Sequence, residues 1–276
     1  MNNTPAHIFD TKVMLANRAR ARELDKDFDF LRVEIADRLQ DRVQDVNRPF
    51  QHILDVGGDM MRLTGRTNDA DTVNISDQPL DLPTGHYSLI TSNLVMHWVN
   101  DLPGLLIQLN RALKPDGLLL ASMFGGETLK ELRYSLLAAE ADITGGANAR
   151  VIPFADVKDL GSLLQRAGYA LPVTDMDTLK VTYDHPLKLM QELRGMGESN
   201  ALTGRSKTFL RRDVMLRACE IYQENFALPN GRIPATFQIM YLTGWHPHES
   251  QQKPLKPGSA TMRLSDALKQ KPPQKS

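Results

Sequence analysis

An amphipathic helix is predicted near the start of the chain, over residues 25 to about 46. Apolar residues recur there every three or four positions, with Arg, Asp and Glu between them, which is the period of a helix with one buried face. Pro49 marks the exit from this helix. The apolar positions are Phe28, Leu31, Ile35 and Leu39.

A strand, helix, strand pattern in the centre of the chain predicts a parallel sheet. Short apolar runs bounded by glycine, proline or polar residues are typical of buried strands. A helix with a leucine face follows Asp101, which suits an N-cap, and the turn KPDG closes it. Such a strand, helix, strand unit with short links forms a right-handed crossover. The predicted strands are Ile53–Val56, a weaker one at 72–75, then 87–93 and 118–124.

The second half of the chain continues with helices and two long β-rich runs. Leucines at helical spacing, glycine stops and a Ser206 cap indicate the helices. Thr, Val, Phe and Tyr enrichment indicates the strands. Beyond Gln251 the Pro, Lys and Gln content predicts a mobile tail. The predicted helices are 128–145, 155–167, 186–193 and 206–226; residues 171–183 form a strand or bent hairpin arm, and 234–245 complete the sheet.

Composition narrows the function classes. The chain has 276 residues, enough for one domain with an appendage, and a formal net charge of +0 gives no field for nucleic acid or anionic membrane. A protein or small-molecule partner is therefore expected. The single Cys219 cannot form an intrachain disulfide, and no apolar run reaches the roughly 18 residues of a membrane span. Acidic residues interrupt the arginine-rich start, so the prediction is a cytoplasmic protein.

The turn after the first strand carries part of a nucleotide-binding pattern. Such sheets place glycines there so that backbone can approach the ligand, beside a helix N-terminus. Asp55, Gly57 and Gly58 fit this pattern, whereas Asp59, Met60 and Met61 stand where further glycine is expected. The Asp59 carboxylate also suits a ligand carboxylate poorly. A tight turn without ligand explains the pattern about as well.

The interval from Gly57 to Tyr87 is short for a complete nucleotide-binding half-sheet. A βαβ unit takes roughly 30 residues, so about one crossover fits there. The sheet is therefore predicted to be shortened on the side of its second and third strands. Asp77, or less favourably Asp71, is the available acid to bind ribose hydroxyls, and either fits an ordinary loop residue better.

Polar residues follow the strand at 87–93, at the edge where open α/β sheets bind ligands. Asn93 is placed to line a cofactor pocket, and His97 has a side-chain pKa suited to proton transfer. Packing and hydrogen bonding at a loop explain His97 and Trp98 equally well. Glu198 lies in the glycine-rich segment RGMGESN, which could close over a substrate or act as a helix cap and linker.

Other catalytic patterns are weak or absent in the sequence. His246, His248 and Glu249 are too isolated to predict a metal site. No Ser, His and Asp set has the spacing of a nucleophilic triad, and there is no P-loop. We predict no metal.

Several strings together resemble one family, over residues 8 to 260. It is the family of the methyltransferase-like complex I assembly factor, the mitochondrial protein arginine hydroxylase, with its alphaproteobacterial relatives. A more distant likeness is to the malonyl carrier-protein methyltransferase of biotin synthesis. The strings are SNLVMHWVNDLP, LKPDG, MFGGETLKELR, LRGMGESNA, PATFQIMYLTGW, HES and GSAT.

The resemblance implies a class I S-adenosylmethionine (SAM) methyltransferase fold, α/β and Rossmann-like, with an N-terminal helical segment. It implies an arm and helix over residues 1–47, a methyltransferase-like domain over 48–250 with a helical insertion at about 185–228, and a tail over 251–276. The cofactor implied is SAM. The partner implied is a protein substrate, the iron–sulfur subunit of the respiratory NADH dehydrogenase, in the cytoplasm of a bacterium or the mitochondrial matrix of a eukaryote.

The sequence is compatible with two functions. In the first, the protein is an enzyme in which His97 and Glu198 face the substrate, and Gly57→Val abolishes cofactor binding by blocking the backbone. In the second, it is a noncatalytic assembly protein whose emptied cofactor site is filled by Met60 and Met61, because methionine packs into irregular gaps.

Overall fold

The computed structural model describes residues 7–24, 26–60 and 70–252 of the chain. Within them a sheet of six strands carries helices on both faces. The strands are β1 (Ile53–Val56), β2 (Ala70–Val73), β3 (Tyr87–Ser92), β4 (Leu113–Phe124), β5 (Ala170–Tyr183) and β6 (Ile233–Trp245). The helices are α1 (Thr11–Arg22), α2 (Phe30–Gln44), α3 (Leu102–Ala112), α4 (Lys130–Thr144), α5 (Val157–Arg166), α6 (Pro186–Gly195) and α7 (Arg212–Phe226), with 3-10 turns at Lys26–Asp29 and Met96–Trp98.

The strand order is β2-β1-β3-β4-β6-β5. The first four strands run parallel, and β6 is antiparallel to both β4 and β5. Val56 pairs with Ser92, and Ser92 pairs with Ala121, so the carboxyl ends of β1 and β3 meet at one edge. This arrangement confirms the predicted α/β sheet and the crossover from β3 through α3 to β4.

Two apolar layers hold the helices against the sheet. Along β4, Leu119 and Ala121 face the layer that contains α3 and α5, whereas Leu120 faces the layer that contains α2, α4, α6 and α7. This alternation follows from the period of two along a strand, so a strand with apolar residues at every position is buried on both faces. The run LLLASMF is therefore suited to the centre of the sheet.

The sheet is short on the side of β2. Among the residues described between Gly57 and Tyr87, β2 is the one strand, and it forms the edge of the described sheet. It lies two residues earlier than the strand predicted at 72–75. Residues 61–69, which include Met61, lie outside the described part of the chain.

Helix α1 forms where no helix is predicted from the sequence. Asp10 caps it by accepting a hydrogen bond from the Val13 backbone N–H at 3.2 Å. The reason for the missed helix is its composition, since the buried positions include Thr11, Asn17 and Arg18 rather than an apolar stripe.

Two boundaries differ from the prediction, and a third prediction lies almost wholly outside the described residues. Helix α7 begins at Arg212 instead of Ser206, whose hydroxyl is hydrogen bonded to that of Thr208. The KPDG segment is part of β4, with Asp116 in a left-handed conformation at φ 61° that bends the strand. The tail predicted beyond Gln251 falls almost wholly outside the described residues. In the part of the chain that the structure describes, no helix is long and apolar enough to cross a membrane.

Candidate functional site

The predicted site residues gather at the carboxyl edge of the parallel strands. Gly57 and Gly58 follow β1, and Asn93 follows β3. His97 lies in the 3-10 turn after β3, and Glu198 comes from the loop after α6 and contacts it. The sequence therefore located the edge of the sheet at which polar side chains converge.

The turn after β1 has the backbone of a ligand-binding glycine loop. Gly57 and Gly58 have φ of 95° and 68°, which favour glycine. The Gly57 N–H donates to the Val73 carbonyl at 2.7 Å, which ties the turn to β2. A Cβ on Gly57 would lie 3.0 Å from a Val95 methyl carbon, so neither the conformation nor the space admits a side chain. Asp55 lies fully buried beneath the turn, where the Thr91 hydroxyl contacts it at 3.4 Å.

Helix α1 covers this glycine turn with two arginines. An Arg22 guanidinium nitrogen donates to the Gly57 carbonyl at 2.6 Å and to Asp59 Oδ1 at 3.1 Å. Arg18 forms an ion pair with the other oxygen of Asp59 and donates to the Leu94 carbonyl at 3.2 Å. The Arg18 and Asp59 side chains are 4% and 1% exposed, so this pair is removed from solvent.

The loop after α6 can approach α1 because of a glycine. Gly197 has φ of 78°, and a Cβ there would lie 3.0 Å from the Arg18 Cα. Next to it, the Asn17 side chain donates to the Ser199 carbonyl at 3.3 Å. This close packing places Glu198 against the 3-10 turn that carries His97.

Glu198 is the centre of a buried polar cluster. One of its oxygens accepts from Trp98 Nε1 at 3.0 Å and lies 3.1 Å from His97 Nε2. The other accepts from Arg32 at 2.7 Å and lies 3.8 Å from Arg18. The Glu198 side chain is 6% exposed, so these donors replace water around its charge.

The cluster fixes the ionisation of its members. Burial would raise the pKa of Glu198, but the hydrogen bond from His97 and the charges of Arg32 and Arg18 outweigh it and hold the pKa below its ordinary value. Burial, together with the Arg32 charge, lowers the pKa of Arg18 to about 10 against the opposing pull of Asp59 and Glu198. At neutral pH Glu198 is therefore ionised and Arg18 is charged.

His97 is neutral in this environment. Burial lowers its pKa from the ordinary value and outweighs Glu198, which acts to raise it, while Arg18 and Arg32 lower it further. Because an ionised carboxylate only accepts hydrogen bonds, the proton of the ring lies on Nε2, facing Glu198. His97 Nδ1 then carries a lone pair, and it has no hydrogen-bond partner among the described residues.

A cavity of about 570 Å³ opens beside this cluster. Trp98 and Glu198 form part of its wall, together with Phe124 and Phe154, whose ring centroids lie 4.8 and 6.0 Å from that of His97. Most of the remaining wall is apolar, and α4 and α6 contribute part of it through Leu132, Leu136, Met190 and Leu193. Among the described residues that line it, Glu198 is the one acid.

The other predicted site residues have partners within the protein. The Asn93 side chain donates to the Arg32 carbonyl at 2.8 Å and accepts from the Ser122 hydroxyl at 3.1 Å, so its amide links β3, α2 and β4. Asp77 accepts from the Thr11 hydroxyl at 2.7 Å and the Asn100 amide at 2.9 Å, which holds the start of α1.

Asp71, His246 and His248, which the sequence favours less as site residues, also have local partners. Asp71 is exposed and accepts from the Tyr87 hydroxyl at 3.1 Å. His246 contacts Asn110 and His248 contacts Ser250, each at 2.7 Å. No group of three metal-ligating residues occurs within the described ranges.

Three arginines of the site were not predicted from the sequence. Arg18 and Arg22 lie one helical turn apart on α1, and Arg32 lies on the buried face of α2, beside Leu31 and Ile35. Their pairing with Asp59 and Glu198 depends on packing between segments that are distant in the sequence, so no local pattern reveals it.

Known proteins are similar in sequence to this chain over most of its length. A family model described as a methyltransferase domain matches residues 9–172. The arginine-hydroxylase NDUFAF5, mitochondrial, of Danio rerio is 42% identical, over 88% of this chain and 83% of its own length. The malonyl-[acyl-carrier protein] O-methyltransferase of Gallionella capsiferriformans is 34% identical, over 62% of this chain and 56% of its own. The crystal structure of the Bacillus YcgJ protein is 12% identical, with a TM-score of 0.48, over 76% of this chain and 98% of that one.

Proposed function

We propose that this protein modifies an arginine of a protein partner. The premise is that the chain belongs to the methyltransferase-domain family and, within it, to the family of the arginine-hydroxylase NDUFAF5. The partner we propose is the iron–sulfur subunit of respiratory NADH dehydrogenase, during assembly of that complex. The similarity supports this function because it extends over 88% of the chain and includes the loop of Glu198 as well as the sheet. The compartment proposed is the bacterial cytoplasm, or the mitochondrial matrix in a eukaryote.

The observation that carries the proposal is the Glu198 carboxylate at the wall of the apolar cavity. An arginine side chain has an aliphatic stem and a planar cation, which suit apolar walls and a buried carboxylate beside an indole ring. Three arginines also line the cavity. Arg150 is neutralised by Glu140 and Arg205 by Asp10, so their charges oppose an incoming cation only weakly. Arg194 forms no ion pair among the described residues, so Glu198 must outweigh its charge.

His97 is the proton acceptor in this proposal. Its Nε2–H is held by Glu198, so its Nδ1 carries the lone pair that would take a proton from a substrate nitrogen or oxygen. This nitrogen is buried and does not line the cavity, so the proposal requires the side chains that cover it to move when the substrate enters. A carboxylate that orients a neutral imidazole in this way also stabilises the imidazolium that forms after proton transfer. Trp98 and Arg32 act as positioning residues, because each donates to Glu198.

The fold family implies SAM, which supplies an electrophilic methyl group when it is bound. The glycine turn keeps a conformation suited to a ligand, but Arg22 holds the Gly57 carbonyl and Asp59 stands beside it. That obstruction favours a second candidate function, an assembly protein with a degenerate SAM site that binds the same partner without modifying it. Met60, which is 1% exposed in the apolar layer of α2, supports this alternative.

The test combines binding and modification of the iron–sulfur subunit. The subunit is incubated with the protein in the presence of SAM or of cell extract, and its arginine-containing peptides are analysed by mass spectrometry. We expect wild-type protein to add one methyl or hydroxyl group to one arginine of the subunit. Glu198→Gln should lose this activity while still binding the subunit. Glu220→Gln, at an exposed position on α7, is the matched control and should remain active.

Each other outcome has a defined meaning. Wild-type protein that binds the subunit and leaves every arginine unmodified supports the noncatalytic assembly function. Full activity of Glu198→Gln removes the carboxylate from the mechanism. Absence of any binding to the subunit contradicts both candidate functions.

A further inference from the structure

We infer that Arg18 and Arg22 form a carboxylate-binding site at the glycine turn and that the side chain of Asp59 occupies it. A ligand with an amino-acid carboxylate, such as SAM, must therefore compete with a group of the protein itself. The inference takes the ligand class from the proposed function, but it does not depend on the protein substrate. The residues concerned lie around the glycine turn and do not line the cavity.

Three guanidinium groups surround the Asp59 carboxylate. Oδ1 accepts from Arg22 at 3.1 Å, Oδ2 pairs with Arg18, and an Arg32 nitrogen lies 3.9 Å from Oδ2. The arginines come from two helices that contact the turn from outside the sheet, α1 and α2. Arg18 and Arg22 each place one guanidinium nitrogen on a different oxygen of the carboxylate, and the same two groups could hold a ligand carboxylate.

The position of Asp59 is the second reason for the inference. It directly follows Gly57 and Gly58 and has helical conformation, so it lies at the place where a nucleotide-binding turn offers backbone N–H groups to an anion. Arg22 contacts the Gly57 carbonyl at 2.6 Å as well as Asp59, so one side chain spans the turn and the carboxylate. An internal anion thus stands where an external one is expected.

A buried ion cluster with only a structural role would have the same contacts but different behaviour. Removal of its carboxylate leaves buried cations without a partner, and this destabilises the protein whatever solutes are present. An occupied ligand site also loses stability, but it gains affinity for carboxylates from solution. A small carboxylate such as acetate can enter the space in either case, so the two explanations differ in their response to SAM compared with an analogue that lacks the carboxylate.

The expected gain in SAM affinity follows from competition between Asp59 and the ligand for the arginines. If the state in which Asp59 has left the arginines is populated only at about 1 to 10%, the apparent affinity for the ligand falls to the same fraction of its intrinsic value. We expect Asp59→Gly to bind SAM and S-adenosylhomocysteine about 10 to 100 times more tightly than wild-type protein. Binding of 5′-methylthioadenosine, which lacks the amino-acid carboxylate, should change little.

Calorimetric titration of the full chain with these three compounds tests the inference. The variants are Asp59→Gly, Asp59→Gly with Arg22→Ala, and Asp37→Asn as an exposed control on α2. The double variant should lose the gain, because the guanidinium that holds the ligand is absent. Equal SAM affinity in wild type and Asp59→Gly, or an equal gain for methylthioadenosine, would overturn the inference.

Thermal unfolding covers the case in which Asp59→Gly is poorly folded. Asp59→Gly and the isosteric Asp59→Asn are melted in sodium acetate and in sodium chloride of equal ionic strength. We expect acetate to raise the melting temperature of Asp59→Gly and not that of wild type, since acetate can enter the vacated position. If acetate raises the melting temperature of neither variant more than chloride does, the inference is contradicted. This result does not depend on whether the protein modifies an arginine substrate.

Discussion

At the scale of single residues, the candidate site depends on side chains whose ionisation is set by burial. Glu198, His97 and Asp59 could be singled out in the sequence because they follow strands or lie in a glycine-rich segment. Their partners Arg18 and Arg32 could not, because each is brought to the site by a helix from the N-terminal arm. Such pairings between residues distant in sequence depend on packing and leave no local pattern.

The ionisation of His97 gives a direct prediction. Its folded pKa is lowered by burial, so the imidazole should be neutral at pH 7 with its proton on Nε2. Glu198→Gln should lower this pKa further, because the carboxylate acts to raise it. Nitrogen-15 NMR of the ring across pH measures both values, and a His97 that is charged at pH 7 would contradict the assignment.

The same shift has a consequence for stability. A histidine with a lowered folded pKa binds fewer protons in the folded than in the unfolded state. Its neutral form therefore contributes stability above the unfolded pKa of about 6.5, and that contribution decreases as the pH falls below it. His97→Gln should flatten the pH dependence of the unfolding free energy in this range, as measured by urea titration.

Gly57 shows how a sequence prediction changes with the structure. Gly57→Val was expected to report on cofactor binding, but φ of 95° and contact with Val95 make any side chain costly to the fold itself. We expect even Gly57→Ala to lose about 1 to 3 kcal/mol of unfolding free energy. Gly85→Ala is the control, because Gly85 has φ of 62° but open space around it, so this variant measures the backbone strain alone. Equal losses of unfolding free energy in both variants would exclude a contribution from Val95.

At the scale of elements, strands were predictable and the first helix was not. The runs YSLITSN and LLLASMF combine apolar residues with small polar ones, and they supply β3 and the C-terminal part of β4. Helix α1 buries Thr11, Asn17 and Arg18, so the apolar period that identifies α2 is absent from it. It is held by specific hydrogen bonds, which a pattern of apolar residues does not reveal.

Asn100 is the residue whose loss should loosen α1. Its side chain accepts from the Phe9 N–H at 2.8 Å and donates to the Phe9 carbonyl at 2.9 Å, just before the helix begins. Asn100→Ala should increase hydrogen exchange in residues 9–22 and leave α7 unchanged. Asn225→Ala, which removes a hydrogen bond within α7, is the control. Unchanged exchange in α1 would mean that its other contacts, such as those of Thr11, Asn17 and the arginines, hold it without Asn100.

At the scale of the whole molecule, α1, the loop of Glu198 and the carboxyl edge of the sheet form one connected site. Phe9 bridges to Leu202, and the Asp10 N–H donates to the Ala201 carbonyl at 2.7 Å, so the N-terminal segment packs beside the loop after α6. The parallel order of β1, β3 and β4 could be predicted from the sequence, because short crossovers admit one handedness. The covering of that edge by distant segments could not.

The cavity gives a prediction at this scale. Met190 is a partly buried residue of α6 that lines it, so Met190→Trp should fill part of its volume without disturbing the polar cluster. We expect modification of the protein substrate to fall at least about tenfold, which corresponds to 1.4 kcal/mol in the barrier. Met190→Leu conserves the volume and should remain active. Wild-type rates in Met190→Trp would place the substrate elsewhere.

Mass spectrometry of the iron–sulfur subunit of NADH dehydrogenase, isolated from cells that carry each gene variant, measures whether this protein modifies an arginine of that subunit through Glu198. We expect one added methyl or hydroxyl group on one arginine with the wild-type gene, and its loss with Glu198→Gln at equal protein levels. An unmodified subunit in wild-type cells, or a fully modified one in cells with Glu198→Gln, would contradict it.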